Sequence, residues 1–72
     1  MPYDVKVEIW AISDPALGKA DVIMTEIFRV GNKKIPLEDI VSELCSDFIM
    51  RNFPKLEYVG HEIIEVTLTK DG

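Results

Sequence analysis

The sequence predicts a small α+β domain in which a single amphipathic helix packs on one face of a small, mostly antiparallel sheet. Three observations support this fold class. Apolar and polar residues alternate near the N terminus, the apolar residues within the segment 36–52 recur at helical spacing, and the alternation returns after residue 57. The expected order is ββαβ in two layers. With 72 residues, the whole chain is expected to form one domain, residues 1–72.

The first two strands are predicted at residues 3–12 and 22–30. In the first, odd-numbered residues from Tyr3 to Ala11 alternate with mostly polar neighbours, which is typical of a strand with one buried face. The second carries large apolar groups on both sides, and residues 13–21 between the strands contain the turn formers Asp14, Pro15 and Gly18. Gly31 and Asn32 then favour a tight reversal into a short return strand at residues 33–35.

The helix is predicted at residues 36–52. Pro36 suits the first helical position, and Pro54 pushes Phe53 out of the helical region, so the helix is expected to end near Asn52. Its apolar stripe consists of Leu37, Ile40, Val41, Leu44, Cys45 and Phe48.

The last strand is predicted at residues 58–69, with Gly60 marking a bulge or bend. Ile64, Val66 and Leu68 are expected to face the helix, and Ile63 the opposite side. The strand order stays open, because the helix permits a parallel crossover between the second and last strands, or the last strand can pair antiparallel with the first.

Composition narrows the function classes. A formal net charge of −5 disfavours direct nucleic-acid binding, which needs clustered Lys and Arg, and no apolar run is long enough to span a membrane. The chain is expected to be soluble and cytoplasmic. Its one cysteine, Cys45, lies on the buried stripe, and its one histidine, His61, is expected at a surface or edge. No catalytic residues, cofactor or metal site are predicted, so the chain is not expected to be an enzyme.

One helix covers only one face of a sheet, so the other face needs solvent or a partner. The alternation places large apolar residues there among charged ones, which predicts a partner interface. The alternative is that Trp10 packs beneath the loop at residues 13–21. The predicted interface residues are Trp10, Ile12, Ile23, Ile27 and Ile63.

Two charged features offer further sites. Asp39, Glu43 and Asp47 recur every four residues and form an acidic row on the outer helix face. The row is either an ordinary solvated face, with Asp47 beside Arg51, or a surface that docks on a basic partner. A basic group of Arg29, Lys33 and Lys34 forms a candidate anion corner, for which solvated side chains are the simpler interpretation.

These observations favour a non-enzymatic protein-interaction module of regulator or inhibitor type that binds a partner surface and forms a homodimer. An obligate complex with another protein is the alternative, and either would use the uncovered face or an adjacent sheet edge. One alternative is a small-ligand or nucleotide-binding module whose site forms at the dimer junction from the anion corner and residues 13–21. A second alternative is an acidic mimic of nucleic acid that uses the helix row.

Overall fold

A computed structural model describes residues 2–31 and 36–68 of the chain. Within these ranges, three strands form one antiparallel sheet and one α-helix lies against it, as expected for a small α+β fold. The strands are β1 (Tyr3–Ile12), β2 (Val22–Val30) and β3 (Glu57–Leu68), and the helix is α1 (Leu37–Asn52). A short 3₁₀ turn, Pro15–Leu17, lies between β1 and β2.

β1 is the central strand, because the sheet order is β2-β1-β3 and both neighbours run antiparallel to β1. Of the two arrangements left open by the sequence, the structure has the one in which β3 pairs antiparallel with β1. β2 and β3 run in the same direction but are not neighbours in the sheet. The return strand predicted at residues 33–35 lies outside the described residues.

The core lies between the odd-numbered residues of β1 and one line of helix residues. Val5, Val7 and Ile9 are fully buried, and they share a cluster with residues of α1. The helix residues at the centre of this contact are Val41, Cys45 and Ile49, whereas Leu37, Ile40, Leu44 and Phe48 pack around them. The predicted stripe is thus confirmed as the packing face, although Ile49, a buried member of it, was not predicted. Pro36 precedes the first helical residue and does not occupy it.

β3 departs from the predicted alternation because two bulges interrupt its pairing with β1. The register shifts between Lys6 and Val7 and again between Trp10 and Ala11, which leaves Ile64 and Val59 as extra residues. Ile63 consequently lies opposite Val7 and packs against the core, while Ile64 is 49% exposed. The predicted sides of Ile63 and Ile64 are therefore wrong, and the bulge expected near Gly60 is confirmed.

The far end of β3 extends beyond the helix. Val66 and Leu68 lie opposite Val5 and Tyr3, on the helix side as predicted, yet each is 47% exposed. A helix of 16 residues spans about 24 Å, while a strand of 12 residues spans about 40 Å. One helix therefore leaves part of its own side of the sheet uncovered.

Candidate interaction surface

The face of the sheet opposite α1 is called the bare face below. It is formed by the even-numbered residues of β1 from Asp4 to Trp10, the odd-numbered residues of β2 and the residues of β3 that pair with β1 there. These residues are Asp4, Lys6, Glu8, Trp10, Ile23, Thr25, Ile27, Arg29, Gly60, Glu62, Glu65 and Thr67.

Trp10 is the largest side chain of the bare face and is held in a fixed position. Its indole Nε1–H donates a hydrogen bond of 2.8 Å to Glu8 Oε1. Its six-membered ring lies over Gly60, where an added Cβ would stand 3.0 Å from Cε3 of the indole. The ring is half-buried because it uses the space that a side chain at residue 60 would otherwise fill. Trp10 thus packs on β3. The sequence had predicted either an exposed position on the bare face or packing beneath residues 13–21, and neither prediction included this contact.

Ile23 and Ile27 form the most open apolar part of the bare face. Both lie on β2, as the alternation predicts, and their exposed fractions are 65% and 64%. Two other predicted interface residues are not part of this surface. Ile12 is only 5% exposed, at the end of β1 where the register with β3 has shifted, and Ile63 faces the helix.

Charged side chains surround these apolar residues. Arg29 Nε lies 3.5 Å from Asp4 Oδ1, and both residues occupy the bare face at one end of the β1–β2 pair. Lys6 lies between Ile27 of β2 and Glu65 of β3 in the register. The surface therefore combines an apolar strip with charges of both signs, a composition that suits a protein interface.

The two edges of the sheet differ in regularity. β2 pairs with β1 without a register shift from Val30 to Val22, whereas β3 carries the two bulges described above. Bulges twist a strand edge away from further pairing, while a regular edge presents unpaired N–H and C=O groups in a row. Among the described residues, β2 is thus the edge better suited to receive another strand.

The bulge at Val59 also creates a polar cluster on the helix side that sequence reasoning missed. In a regular strand, residues three apart face opposite sides, but the extra residue brings Tyr58 and His61 to the same side. The Tyr58 hydroxyl lies 2.5 Å from His61 Nδ1, and His61 Nε2 lies 2.9 Å from Glu38 Oε2 in the first turn of α1. The cluster therefore ties the start of the helix to β3.

Burial differs across this cluster: the His61 side chain is 11% exposed, whereas the Glu38 side chain is 70% exposed. Burial raises the pKa of Tyr58, and a hydrogen bond with Ser42 opposes that rise. Burial likewise raises the pKa of the Cys45 thiol to about 11, so that the thiol is neutral at physiological pH. A neutral, fully buried thiol is a poor nucleophile, which favours the structural interpretation of Cys45.

The remaining predicted sites have been located only in part. Asp39, Glu43 and Asp47 are all exposed on the outer helix face, and Arg51 Nε lies 3.1 Å from Asp47 Oδ2. Of the anion corner, Arg29 is on the bare face, while Lys33 and Lys34 lie outside the described residues. The structure therefore gives no common geometry for the three basic residues.

No helix in residues 2–31 and 36–68 is long and apolar enough to cross a membrane. Within the same ranges, no group of three or more His, Cys, Asp or Glu side chains is arranged to hold a metal ion.

The chain matches no protein family model, no curated protein and no solved structure. The function of the bare face therefore has to be inferred from its own residues.

Proposed function

We propose that the protein is a small, non-enzymatic interaction module of regulator or inhibitor type that occupies a partner surface with its bare face and works as a homodimer. The observation that carries this proposal is the 65% and 64% exposure of Ile23 and Ile27 on the same face as the hydrogen-bonded ring of Trp10. Large apolar groups next to an ordered Trp and ringed by charge are typical of interfaces.

The small core favours a second copy as the partner. The fully buried side chains of the described residues come from β1 and one line of α1, so a single layer of contacts holds the fold. Domains of this size gain stability from oligomerisation, and twofold homodimers are the commonest assembly. A surface with charges of both signs also suits self-association better than a surface of one sign, which would repel its copy.

Replacement of Ile27 by Glu tests this proposal. The new carboxylate would lie beside Lys6 on β1, so the monomer fold should be retained, while a buried charge at the interface should oppose association. The dimer dissociation constant measured by sedimentation equilibrium should rise at least about tenfold, or about 1.4 kcal/mol.

The matched control is Met50→Glu, which replaces an equally open apolar residue on the helix, 69% exposed. This variant should dimerise like the wild type. A wild-type protein that stays monomeric throughout the micromolar range, or equal effects of the two substitutions, would contradict the proposal.

A further inference from the structure

We propose that two copies of the chain join edge to edge through β2, antiparallel and with Thr25 on the twofold axis. Two three-stranded sheets would then form one sheet of six strands. This inference rests on the proposed function, because it specifies how the two copies of the homodimer pair, with their bare faces side by side on one continuous sheet. The second copy occupies the edge of β2 that has no neighbouring strand among the described residues.

β2 has the features of a strand that accepts a neighbour. It is nine residues long, it pairs with β1 alone among the described residues, and its register with β1 is uninterrupted. It contains no proline and no lysine, the residues that commonly protect sheet edges. Within the described residues, no strand covers its outward N–H and C=O groups, which can therefore pair with a second β2.

The face of each residue limits how two copies of β2 can pair. Residues directly opposite each other in a sheet lie on the same face. A slip of one residue would therefore place residues of one face opposite residues of the other, which is not allowed. The helix-side residues of β2 are even-numbered and the bare-face residues are odd-numbered. In a symmetric antiparallel pair, one residue must therefore lie directly opposite the same residue of the second copy, with the twofold axis midway between them. Thr25, Glu26 and Ile27 are the central candidates.

The Thr25-centred register gives the best contacts. A twofold axis at Glu26 sets its carboxylate directly against that of the second copy, which is unfavourable. An axis at Ile27 places Ile23 opposite Gly31 of the second copy, where no side chain can cover it. With Thr25 on the axis, Ile23 faces Ile27 of the second copy, and the same contact recurs on the other side of the axis.

Charge complementarity supports the same register. Glu26 then lies opposite Met24 of the second copy, and Arg29 lies opposite Asp21 of the second copy. Asp21 immediately precedes β2, and its carboxylate is positioned by hydrogen bonds from the Ser13 N–H (2.8 Å) and hydroxyl (2.5 Å). Symmetry produces this pair of opposite charges twice, once at each end of the shared ladder.

Disulfide cross-linking tests the register. Opposed Cα atoms in an antiparallel pair lie about 4.5–5.5 Å apart, within the range of about 4.4–6.8 Å that a disulfide spans. Thr25→Cys should therefore form a covalent dimer under mild oxidation. In the same register, residue 27 of one copy lies about 14 Å from residue 27 of the other, so Ile27→Cys should remain uncrosslinked. The native Cys45 is buried and should not react.

Thr25→Lys and Thr67→Lys form a second, matched pair of variants. Both threonines lie on the bare face beside an acidic residue of β1, Glu8 for Thr25 and Asp4 for Thr67, so both monomers should fold. Only the first places two ammonium groups against each other across the axis. It should raise the dimer dissociation constant at least about tenfold, and Thr67→Lys less than about twofold.

The outcomes separate this inference from the proposed function. Cross-linking of Thr25→Cys, together with a selective loss of dimer in Thr25→Lys, would support pairing through β2. If the wild type dimerises and Ile27→Glu abolishes the dimer while Thr25→Cys stays uncrosslinked, the interaction module stands and edge pairing is overturned. Cross-linking of Ile27→Cys alone would overturn the register. A monomeric wild type with no cross-linking would contradict both proposals.

Discussion

The two edge strands of the sheet both pair with the central strand β1, but only one of them pairs in an uninterrupted register. β2 follows β1 in one register from end to end, while β3 inserts an extra residue at Val59 and another at Ile64. A bulge shifts side chains to the other face and increases local twist, which discourages further pairing. One edge is therefore shaped for contact with the helix, whereas the other is regular and, within the described residues, has no further neighbour.

The bulges of β3 serve internal packing. The bulge at Val59 places Tyr58 and His61 on the helix side, where their rings stack at a centroid distance of 6.2 Å. The bulge at Ile64 turns Ile63 inward, toward the core. β2 has no bulge, so its alternate residues Ile23 and Ile27 stay on the bare face, where they are exposed.

The largest expected effect comes from truncating the two neighbouring isoleucines of β3. Because Ile63 packs against the core, Ile63→Ala should lower the free energy of unfolding by about 2 kcal/mol. Ile64 is 49% exposed, so Ile64→Ala should cost less than about 1 kcal/mol. Chemical denaturation of both variants provides the measurement. The reverse order would mean that β3 has no bulge at Ile64.

Gly60→Ala tests the contact between β3 and Trp10. The new Cβ would stand 3.0 Å from Cε3 of the indole, so the ring must move, and the expected loss is about 1–2 kcal/mol with a change in tryptophan fluorescence. Gly31→Ala is the control, because no atom of residues 2–31 and 36–68 outside its chain neighbours lies within 4 Å of the Cβ position there. Equal stability of the two variants would contradict the packing of Trp10 on Gly60.

Tyr58→Phe tests the polar cluster that the first bulge assembles. Loss of the hydroxyl leaves the partly buried His61 Nδ1 without its partner and should cost about 1 kcal/mol. Tyr3→Phe serves as the matched control, since the Tyr3 hydroxyl makes no hydrogen bond within the described part of the chain. Similar losses in both variants, measured by thermal unfolding, would contradict the role of the cluster.

The same substitution predicts a change at high pH. The pKa of Tyr58 is raised in the folded state, so the phenol contributes stability below its usual pKa of 10.0, and this contribution is lost as the pH rises above that value. Tyr58→Phe should therefore lose less stability than the wild type between about pH 9 and about pH 11. Identical alkaline unfolding of the two proteins would contradict the burial of Tyr58.

The smallest expected effect concerns Asp21, at the entrance to β2. Hydrogen bonds from Ser13 hold the pKa of Asp21 below its usual value of 3.8. This group therefore contributes stability above that value and loses the contribution as the pH falls through its lower folded pKa. Ser13→Ala removes the hydroxyl donor and should reduce the loss of stability between about pH 5 and about pH 2. An unchanged acid profile would contradict this assignment.

Much of the fold could be predicted from sequence because three of its elements are regular. The predicted bounds of β1 and β2 are confirmed at residues 3–12 and 22–30, and the helix differs by one residue at its start. Period-two alternation and a helical stripe are local signals, and Pro54 marks the helix end. The strand order could not be predicted, since it depends on long-range pairing.

The errors lie where the chain is irregular. Gly60 signals the first bulge, because a missing side chain marks a close approach, here by Trp10. The second bulge, at Ile64, has no glycine or proline beside it, so the alternation of residues 63–68 gave the wrong side for Ile63. The cluster of Tyr58, His61 and Glu38 was missed for the same reason, as its members meet only after the register shift.

The candidate surface was predictable where it lies on β2. Ile23 and Ile27 were placed on the bare face because β2 has no bulge, so alternation alone assigns their side. Ile63 was misplaced because the bulge at Ile64 turns it to the helix side, while Ile12, the last residue of β1, is only 5% exposed, which alternation alone does not explain. The contrast between the two edges therefore explains both the correct predictions on β2 and the incorrect one for Ile63.

Amide hydrogen exchange at two protein concentrations tests directly whether the two edges differ in function. If copies join through β2, the outward-facing amides of residues 22–28 should exchange more slowly at high micromolar than at low micromolar concentration, because dimer formation supplies their hydrogen-bond acceptors. The outward-facing amides of β3 should exchange at the same rate at both concentrations. Unchanged exchange in β2, or concentration-dependent protection of β3, would contradict the account.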